Sequence, residues 1–302
     1  MLRRSLLPGG IMGHKVMYGL IGILGVIGLC VGTTTAYGES LRVNPEWLNK
    51  NLDNRDLIII DSRSRDDYDV EHISGAVSLS HELTYQQKQK GGNIVEPDVM
   101  QGILQKLGVG NNKKIVVYDN GEMFDASRVF WALEVYGLQD VKVLNSGYQL
   151  WTAKKYPVSS NSPRITPSNY VPSIDYRKIA SKFATQLATT SPGKVIVDAR
   201  SVNAYRGAES TAKRFGHIPS AINIPVSINL MKVSGVPSLR SQNELADVYS
   251  KLPKDKKVIL YCEIGRVSST NYLILRELGY DVANYDASWR EWGNDFNLPI
   301  EK

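Results

Sequence analysis

One unit is written twice along this 302-residue chain. Ile58-Ile59-Ile60-Asp61-Ser62-Arg63 returns as Val195-Ile196-Val197-Asp198-Ala199-Arg200, and a tyrosine follows each copy at the same interval, Tyr68 and Tyr205. His72-Ile73-Ser74-Gly75-Ala76-Val77 returns as His217-Ile218-Pro219-Ser220-Ala221-Ile222, and Ile115-Val116-Val117-Tyr118 returns as Val258-Ile259-Leu260-Tyr261. Trp151 closes the first copy as Trp292 closes the second. Matched positions lie 137 to 145 residues apart, so the repeat is a whole domain and not a solenoid unit. Whatever fold one half adopts, the other must adopt as well.

Within each copy, short Val/Ile-rich runs without polar alternation predict strands buried on both faces. Between them lie segments with helical spacing, such as 126–136 and 269–278, followed by Gly137 and Gly279 as carboxyl-terminal caps. Strands alternating with helices predict an α/β class, each half a parallel sheet with helices on both faces. The stretch 159–172 is rich in Ser, Asn and Pro and reads as an exposed linker. The expected domains are therefore 41–158 and 173–302.

The composition, 42% hydrophobic and 22% charged, is that of a globular protein and leaves disorder no place over most of the chain. The formal charge of +6 owes part of its size to Arg3, Arg4 and Lys15, which precede any acidic residue. Without them 33 basic face 30 acidic side chains, and no basic block or basic-aromatic stripe remains, so nucleic-acid binding is not expected. The basic flank, the apolar segment from Val16 to Val31 and the small-residue run to Gly38 have the order of a secretory signal peptide over residues 1–38. The expected location is thus exported and periplasmic. The alternative is an uncleaved anchor that leaves the protein membrane-attached facing the exterior; glycines at 19, 22, 25 and 28 and a short apolar core argue against it. Cys30 follows Leu29, where a lipidation signal would place a small residue.

If the leader is removed, Cys262 is the sole thiol of the mature chain and cannot form an internal disulfide. It directly follows the strand-like Val258–Tyr261 run and precedes a helix, the place where parallel sheets bind their ligands. The intervening loop of Glu263, Ile264, Gly265, Arg266, Val267 and Ser268 can turn several N–H groups inward, with Gly265 supplying a positive φ. Such a cradle at a helix amino terminus favours an anion, here the thiolate, and a thiolate is the nucleophilic form of cysteine. In the first copy Asp119 stands opposite Cys262 and lacks the sulfur that thiol chemistry needs. His72 and His217 occupy equivalent positions in the two copies, which favours structural duties for both; His81 has no motif around it.

Four segments in order carry a family resemblance: Asp198-Ala199-Arg200, the run Gly216 to Pro225, the Cys262 loop, and Tyr285-Asp286-Ala287-Ser288-Trp289-Arg290-Glu291-Trp292-Gly293. On these residues the chain resembles the two-domain rhodaneses, thiosulfate or 3-mercaptopyruvate sulfurtransferases, over nearly all of 41–300. The resemblance implies an inactive first domain, a catalytic second domain and an interdomain cleft holding the thiol. It also implies sulfur transfer from a small anionic donor, thiosulfate, through a persulfide on Cys262 to a thiol or cyanide acceptor. No cofactor or metal is implied. The donor's charge makes Arg200, Arg206 and Arg266 the candidate binding residues.

The loop departs from the family's familiar versions, which resemble Cys-Arg-x-Gly-x-Arg-Ser-Ser or Cys-Gly-Ser-Gly-Val-Thr. Here Glu263 places a negative charge beside the thiol, and Arg266 is expected to offset it. Two other readings stay open. Phosphatases of related fold need an arginine six positions after the cysteine, where this chain has Ser268, so phosphoryl chemistry is disfavoured. A non-enzymatic exported carrier or sensor of sulfur or a related chalcogen would use the same persulfide, and turnover with soluble donors separates it from an enzyme.

Overall fold

The two long Val/Ile runs of each copy become adjacent central strands of an all-parallel, five-stranded sheet. In the first half the order across the sheet is Arg42–Val43, Val141–Leu144, Lys114–Tyr118, Leu57–Asp61, Val77–Ser78. The second half repeats it with Ile179–Ala180, Val282–Tyr285, Lys257–Tyr261, Lys194–Asp198, Ile222–Asn223. The registers match too, Ile60 against Val117 and Val197 against Leu260. This computed structural model describes residues 40–86 and 92–302, so the expected leader and Cys30 lie outside the described residues.

Successive residues of the central strands feed different cores, which is why the runs carry no polar alternation. Ile59 and Val116 pack with Tyr68 and Trp151, while Ile196 and Ile259 pack with Tyr285 and Trp292. The opposite faces, Ile60 and Val117 in one half and Val197 and Leu260 in the other, join a single core that runs through both halves. At its centre helix Phe124–Val135 packs against helix Ser268–Glu277, with Phe130 and Tyr272 in ring contact. Both helices are buried nearly all round, so neither carries a polar stripe. They start one or two residues before the expected 126 and 269. Gly137 and Gly279 follow their last turns at φ +92° and +79°, as the capping pattern required.

The duplication extends to side-chain hydrogen bonds. Tyr118 donates to Asp61 and accepts from the Ile73 N–H; Tyr261 donates to Asp198 and accepts from the Ile218 N–H, with the same 2.6 and 3.1 Å distances. His72 stacks on Tyr68 and His217 on Tyr205, each through Nδ1 against that tyrosine's carbonyl. Both histidines are thus framework residues. The indole N–H groups of Trp151 and Trp292 donate to the Pro157 and Pro299 carbonyls.

Two features differ from the sequence expectation. The 159–172 connection is exposed at first but tied down later, where Ser168 bonds Gln105 and Val109 and buried Tyr170 donates to the Tyr136 carbonyl. The second half also carries a hairpin, Leu230–Val233 and Val236–Leu239, turned by Ser234 and Gly235 at φ +52° and +83°. Asn145 of the first half bonds Ser238 and Leu239 within it.

Removing either tyrosine hydroxyl leaves a buried carboxylate oxygen and a buried N–H short of a partner. Tyr118→Phe and Tyr261→Phe are each expected to cost about 1–3 kcal/mol in urea unfolding. Matching losses in the two halves are the expected result, and a large loss in only one would show that the duplicated network is not energetically duplicated.

Candidate active site

Cys262 directly follows the strand Lys257–Tyr261 and is buried, with 1% of its surface exposed. Its N–H donates to Ser288 Oγ at 3.1 Å, Ser288 Oγ donates onward to the Tyr285 carbonyl, and its own carbonyl accepts from the Trp289 N–H. Ser288 sits at φ +55° to make that turn. After Cys262 the chain curls through Gly265, at φ +75°, into helix Ser268–Glu277. A Cβ at Gly265 would lie 2.7 Å from the Asp286 carbonyl oxygen, so glycine is required there for space as well as for backbone angle. The Gly265 carbonyl accepts from Ser269 Oγ at 2.7 Å and Asn284 Nδ2 at 3.1 Å, which fixes the curl.

The first half supplies the other wall. Arg128, fully buried on helix Phe124–Val135, pairs with Asp286 at 2.5 Å, and its Nη1 also reaches the Gly265 carbonyl at 3.4 Å. Asp286 further accepts from the Ile94 N–H. Burial pushes the Asp286 carboxyl up against the opposing pull of Arg128. Tyr85 lies over the Arg128 guanidinium, and burial pushes its phenol up to about 12 against the pull of Arg128. Neither Arg128 nor Asp286 was expected as a site residue. Asp286 lies in a segment that carries the family resemblance, whereas nothing in the sequence distinguishes Arg128 from a surface arginine until its helix is known to be buried.

The expected donor-binding arginines do not converge on the thiol. Arg200 is nearly buried, holds Asp198 through Nε and Nη2, donates to the Gly216 carbonyl and lies over Trp289. Arg63 makes the equivalent grip on Asp61 and the Glu71 carbonyl, so this side chain serves the framework in both halves. Only Arg200 Nη1 faces the cleft side, 3.6 Å from Glu263 Oε1. Arg206 is exposed at the end of helix Val202–Tyr205 and is not among the residues lining the cleft. Arg266 turns toward the first half and pairs with Asp125 at 2.5 Å, so it does not offset Glu263 as expected. The reason is local: Asp125 opens the helix that faces the loop and meets the guanidinium first. His81 joins the same group, 3.3 Å from Asp125, with burial pulling its imidazole down.

Asp119 occupies the first half's counterpart of the thiol position, and the carboxylate fills its own cradle. Oδ1 accepts from the N–H groups of Gly121 and Met123, and Oδ2 from those of Asp125 and Ala126, at 2.8 to 3.3 Å. In the Cys262 loop, by contrast, the N–H groups from Ile264 to Ser268 have no hydrogen-bond acceptor among the described residues. With the amino terminus of helix Ser268–Glu277 behind them they suit an anion. A cleft of about 360 Å³ borders this loop at Glu263 and Val267 and continues along Arg200, Ser201, Glu209 and Thr211.

Residues 44–154 and 180–295 each match the rhodanese-like domain family. "Putative thiosulfate sulfurtransferase" of Saccharopolyspora erythraea is 31% identical over 277 residues, covering 87% of this chain and 96% of that protein. Sulfur carrier protein TtuD of Thermus thermophilus is 30% identical over 279 residues, covering 86% and 96%. Among solved structures, SseA of Escherichia coli, described for 3-mercaptopyruvate sulfotransferases, superposes with a TM-score of 0.75 at 24% identity over 83% of this chain and 99% of that one. That last likeness speaks to the fold.

Two outcomes follow from this geometry. Arg128→Met strands the buried Asp286 carboxylate and is expected to cost about 3–5 kcal/mol, with Arg128→Met/Asp286→Asn recovering part of the loss in urea unfolding; an additive double variant would refute the pairing. Burial, reinforced by the charge of Asp125, raises the Asp119 carboxyl to about 6. The folded state therefore binds this proton more tightly than the unfolded chain, and the associated stability is complete below pH 4 and lost as pH rises through 6. Asp119→Asn should flatten that fall, roughly 3 kcal/mol at most, in unfolding curves from pH 4 to 7.

Proposed function

Because the chain belongs to the rhodanese-like family as two such domains in tandem, we propose that it moves sulfane sulfur from thiosulfate to a thiol or cyanide acceptor through a Cys262 persulfide. The carrying observation is the buried thiol at the mouth of a loop whose N–H groups lack protein acceptors, set against the self-filled cradle of Asp119. The Cys262 thiolate attacks the outer sulfur of thiosulfate, the S–S bond of the donor breaks, and sulfite leaves with the bonding pair. The charge on the product, Cys–S–S⁻, is held by the loop N–H groups and the helix amino terminus. Attack by an acceptor thiolate on the outer sulfur then returns the Cys262 thiolate and releases the acceptor persulfide.

3-Mercaptopyruvate is the alternative donor, and a carrier role fits the same steps with a protein or small thiol as recipient. The name of the Thermus relative supports keeping that reading beside the enzymatic one. The signal-like leader supports an exported protein, so the acceptor would be met outside the cytoplasm.

Intact-mass measurement after thiosulfate treatment is expected to find a single added sulfur on the wild-type chain and on Asp119→Asn, and none on Cys262→Ser. An adduct surviving in Cys262→Ser would move the nucleophile elsewhere. Glu263 remains a repulsive charge beside the loop, since Arg266 is engaged by Asp125. Glu263→Gln is expected to lower the KM for thiosulfate several-fold at low salt, the effect of about 1 kcal/mol of charge repulsion in a largely aqueous setting, and less at high salt.

A further inference from the structure

The Arg200 guanidinium is fixed on every side but one. Nε and Nη2 hold Asp198, Nη2 also donates to the Gly216 carbonyl, and the group lies over the Trp289 ring, 4.4 Å from its centre. The side chain is 2% exposed, yet Nη1, on the side of the cleft, has no hydrogen-bond partner among the described residues. A buried guanidinium N–H in this state calls for an acceptor. The group that faces it is Glu263 Oε1, 3.6 Å away, close enough for an ion pair and too far for a hydrogen bond.

A separate contact keeps Glu263 at this wall. Thr211 donates to Oε2, which leaves Oε1 toward Arg200. Thr211 belongs to the stretch between Tyr205 and His217, which is longer than its counterpart between Tyr68 and His72. The residue after Asp119, where Glu263 follows Cys262, is the uncharged Asn120. The first half therefore repeats the arginine's grip on its aspartate, Arg63 on Asp61, with no counterpart of Glu263. A cleft of about 360 Å³, at the lower end of small-ligand sites, joins Arg200 and Thr211 to the active loop at Glu263 and Val267.

We infer that Glu263 sets donor specificity: its carboxylate stands at Arg200 Nη1 where the carboxylate of 3-mercaptopyruvate would bind, and it thereby disfavours carboxylate-bearing donors relative to thiosulfate. The inference rests on the sulfur-transfer reading above and chooses between its two donors. They differ in how far their charge lies from the sulfur that moves. In thiosulfate the charged oxygens sit on the neighbouring atom, within reach of the loop N–H groups that hold the sulfur. In 3-mercaptopyruvate two carbons separate the sulfur from the carboxylate, which carries that charge out along the cleft toward Arg200. There it meets a like charge and one N–H for two carboxylates, an element that works by repelling the wrong donor. The disfavoured step itself balances: the Cys262 thiolate bonds to the donor sulfur, the sulfur–carbon bond breaks, and the carbon takes the bonding pair and the thiol's proton to give pyruvate.

The test uses the full chain. Absence of an added sulfur on the wild-type chain after thiosulfate treatment would defeat the sulfur-transfer reading itself. Rates of persulfide formation from each donor, followed by intact mass, are compared in wild type, Glu263→Ala and Glu209→Ala, the last removing a cleft carboxylate that Ser201 holds. Glu263→Ala is expected to speed loading from 3-mercaptopyruvate about ten-fold or more and from thiosulfate only a few-fold, while Glu209→Ala leaves the ratio of the two donors within about two-fold. Relief of charge alone predicts the reverse order, because thiosulfate carries two negative charges and the mercaptopyruvate carboxylate one. Equal gains, a larger gain for thiosulfate, or no gain for 3-mercaptopyruvate would overturn the inference. A second arm needs no sulfur transfer: pyruvate, which has the carboxylate and no thiol, should slow alkylation of Cys262 by iodoacetamide more in Glu263→Ala than in wild type, and uncharged pyruvamide should not distinguish the two chains. Equal protection of both chains by pyruvate, or protection of neither, would also overturn it.

Discussion

Two buried helices packed against each other set the position of everything chemical in this protein. Helix Phe124–Val135 begins just after the Asp119 loop and helix Ser268–Glu277 just after the Cys262 loop, so their contact brings the two loops face to face. An arginine on the first of these helices has no water to turn to. Arg128 instead meets Asp286 and the Gly265 carbonyl, and the active loop is thereby fixed from the half that lacks the thiol. A buried ion pair of this kind adds little net stability against an apolar alternative, but losing one partner is costly, so it disfavours any other register of the two halves. The first half is thus one wall of the site.

The same constraint explains how two copies of one unit can differ chemically while sharing a framework. The Asp61–Arg63–Tyr118 and Asp198–Arg200–Tyr261 groups are superimposable in their bonds and tie each central strand pair to the turn beyond it. Chemistry enters only at the residue after Tyr118 or Tyr261. A carboxylate has two oxygens with lone pairs enough for four N–H donors, so Asp119 saturates its loop. A thiol at the same point offers no comparable acceptor, and the loop donors stay available to a bound or transferred anion.

The duplication, the parallel sheets, the helix ends at Gly137 and Gly279 and the position of Cys262 were all legible in the sequence, because each depends on local pattern or on comparison of the two halves. The framework role of His72 and His217 was legible for the same reason. What escaped was pairing between residues distant in sequence. Arg266 looked like a counter-charge to Glu263 because it is three positions away along the chain, yet Asp125, 141 positions away, holds it. Arg128 carried no signal at all, since a charge inside a helix reads as solvated until the helix is found to be buried. The hairpin at 230–239 was missed because Ser234-Gly235 is a weak turn signal between short strands.

Charge pairing around the thiol has one further consequence for how the site attracts its substrates. Arg128, Arg200 and Arg266 all stand near the Cys262 loop, and each is matched by a carboxylate, Asp286, Asp198 and Asp125 respectively. Paired charges produce fields that fall off steeply, so none of the three draws an anion from a distance. The backbone dipoles of the loop and of helix Ser268–Glu277 have no such partner, but they act only over the first turn. Under the proposed sulfur transfer, anion binding would therefore be a contact effect, felt once a sulfur reaches the cradle. In the proposed reaction such a site would stabilise the persulfide once it forms rather than draw the donor from a distance.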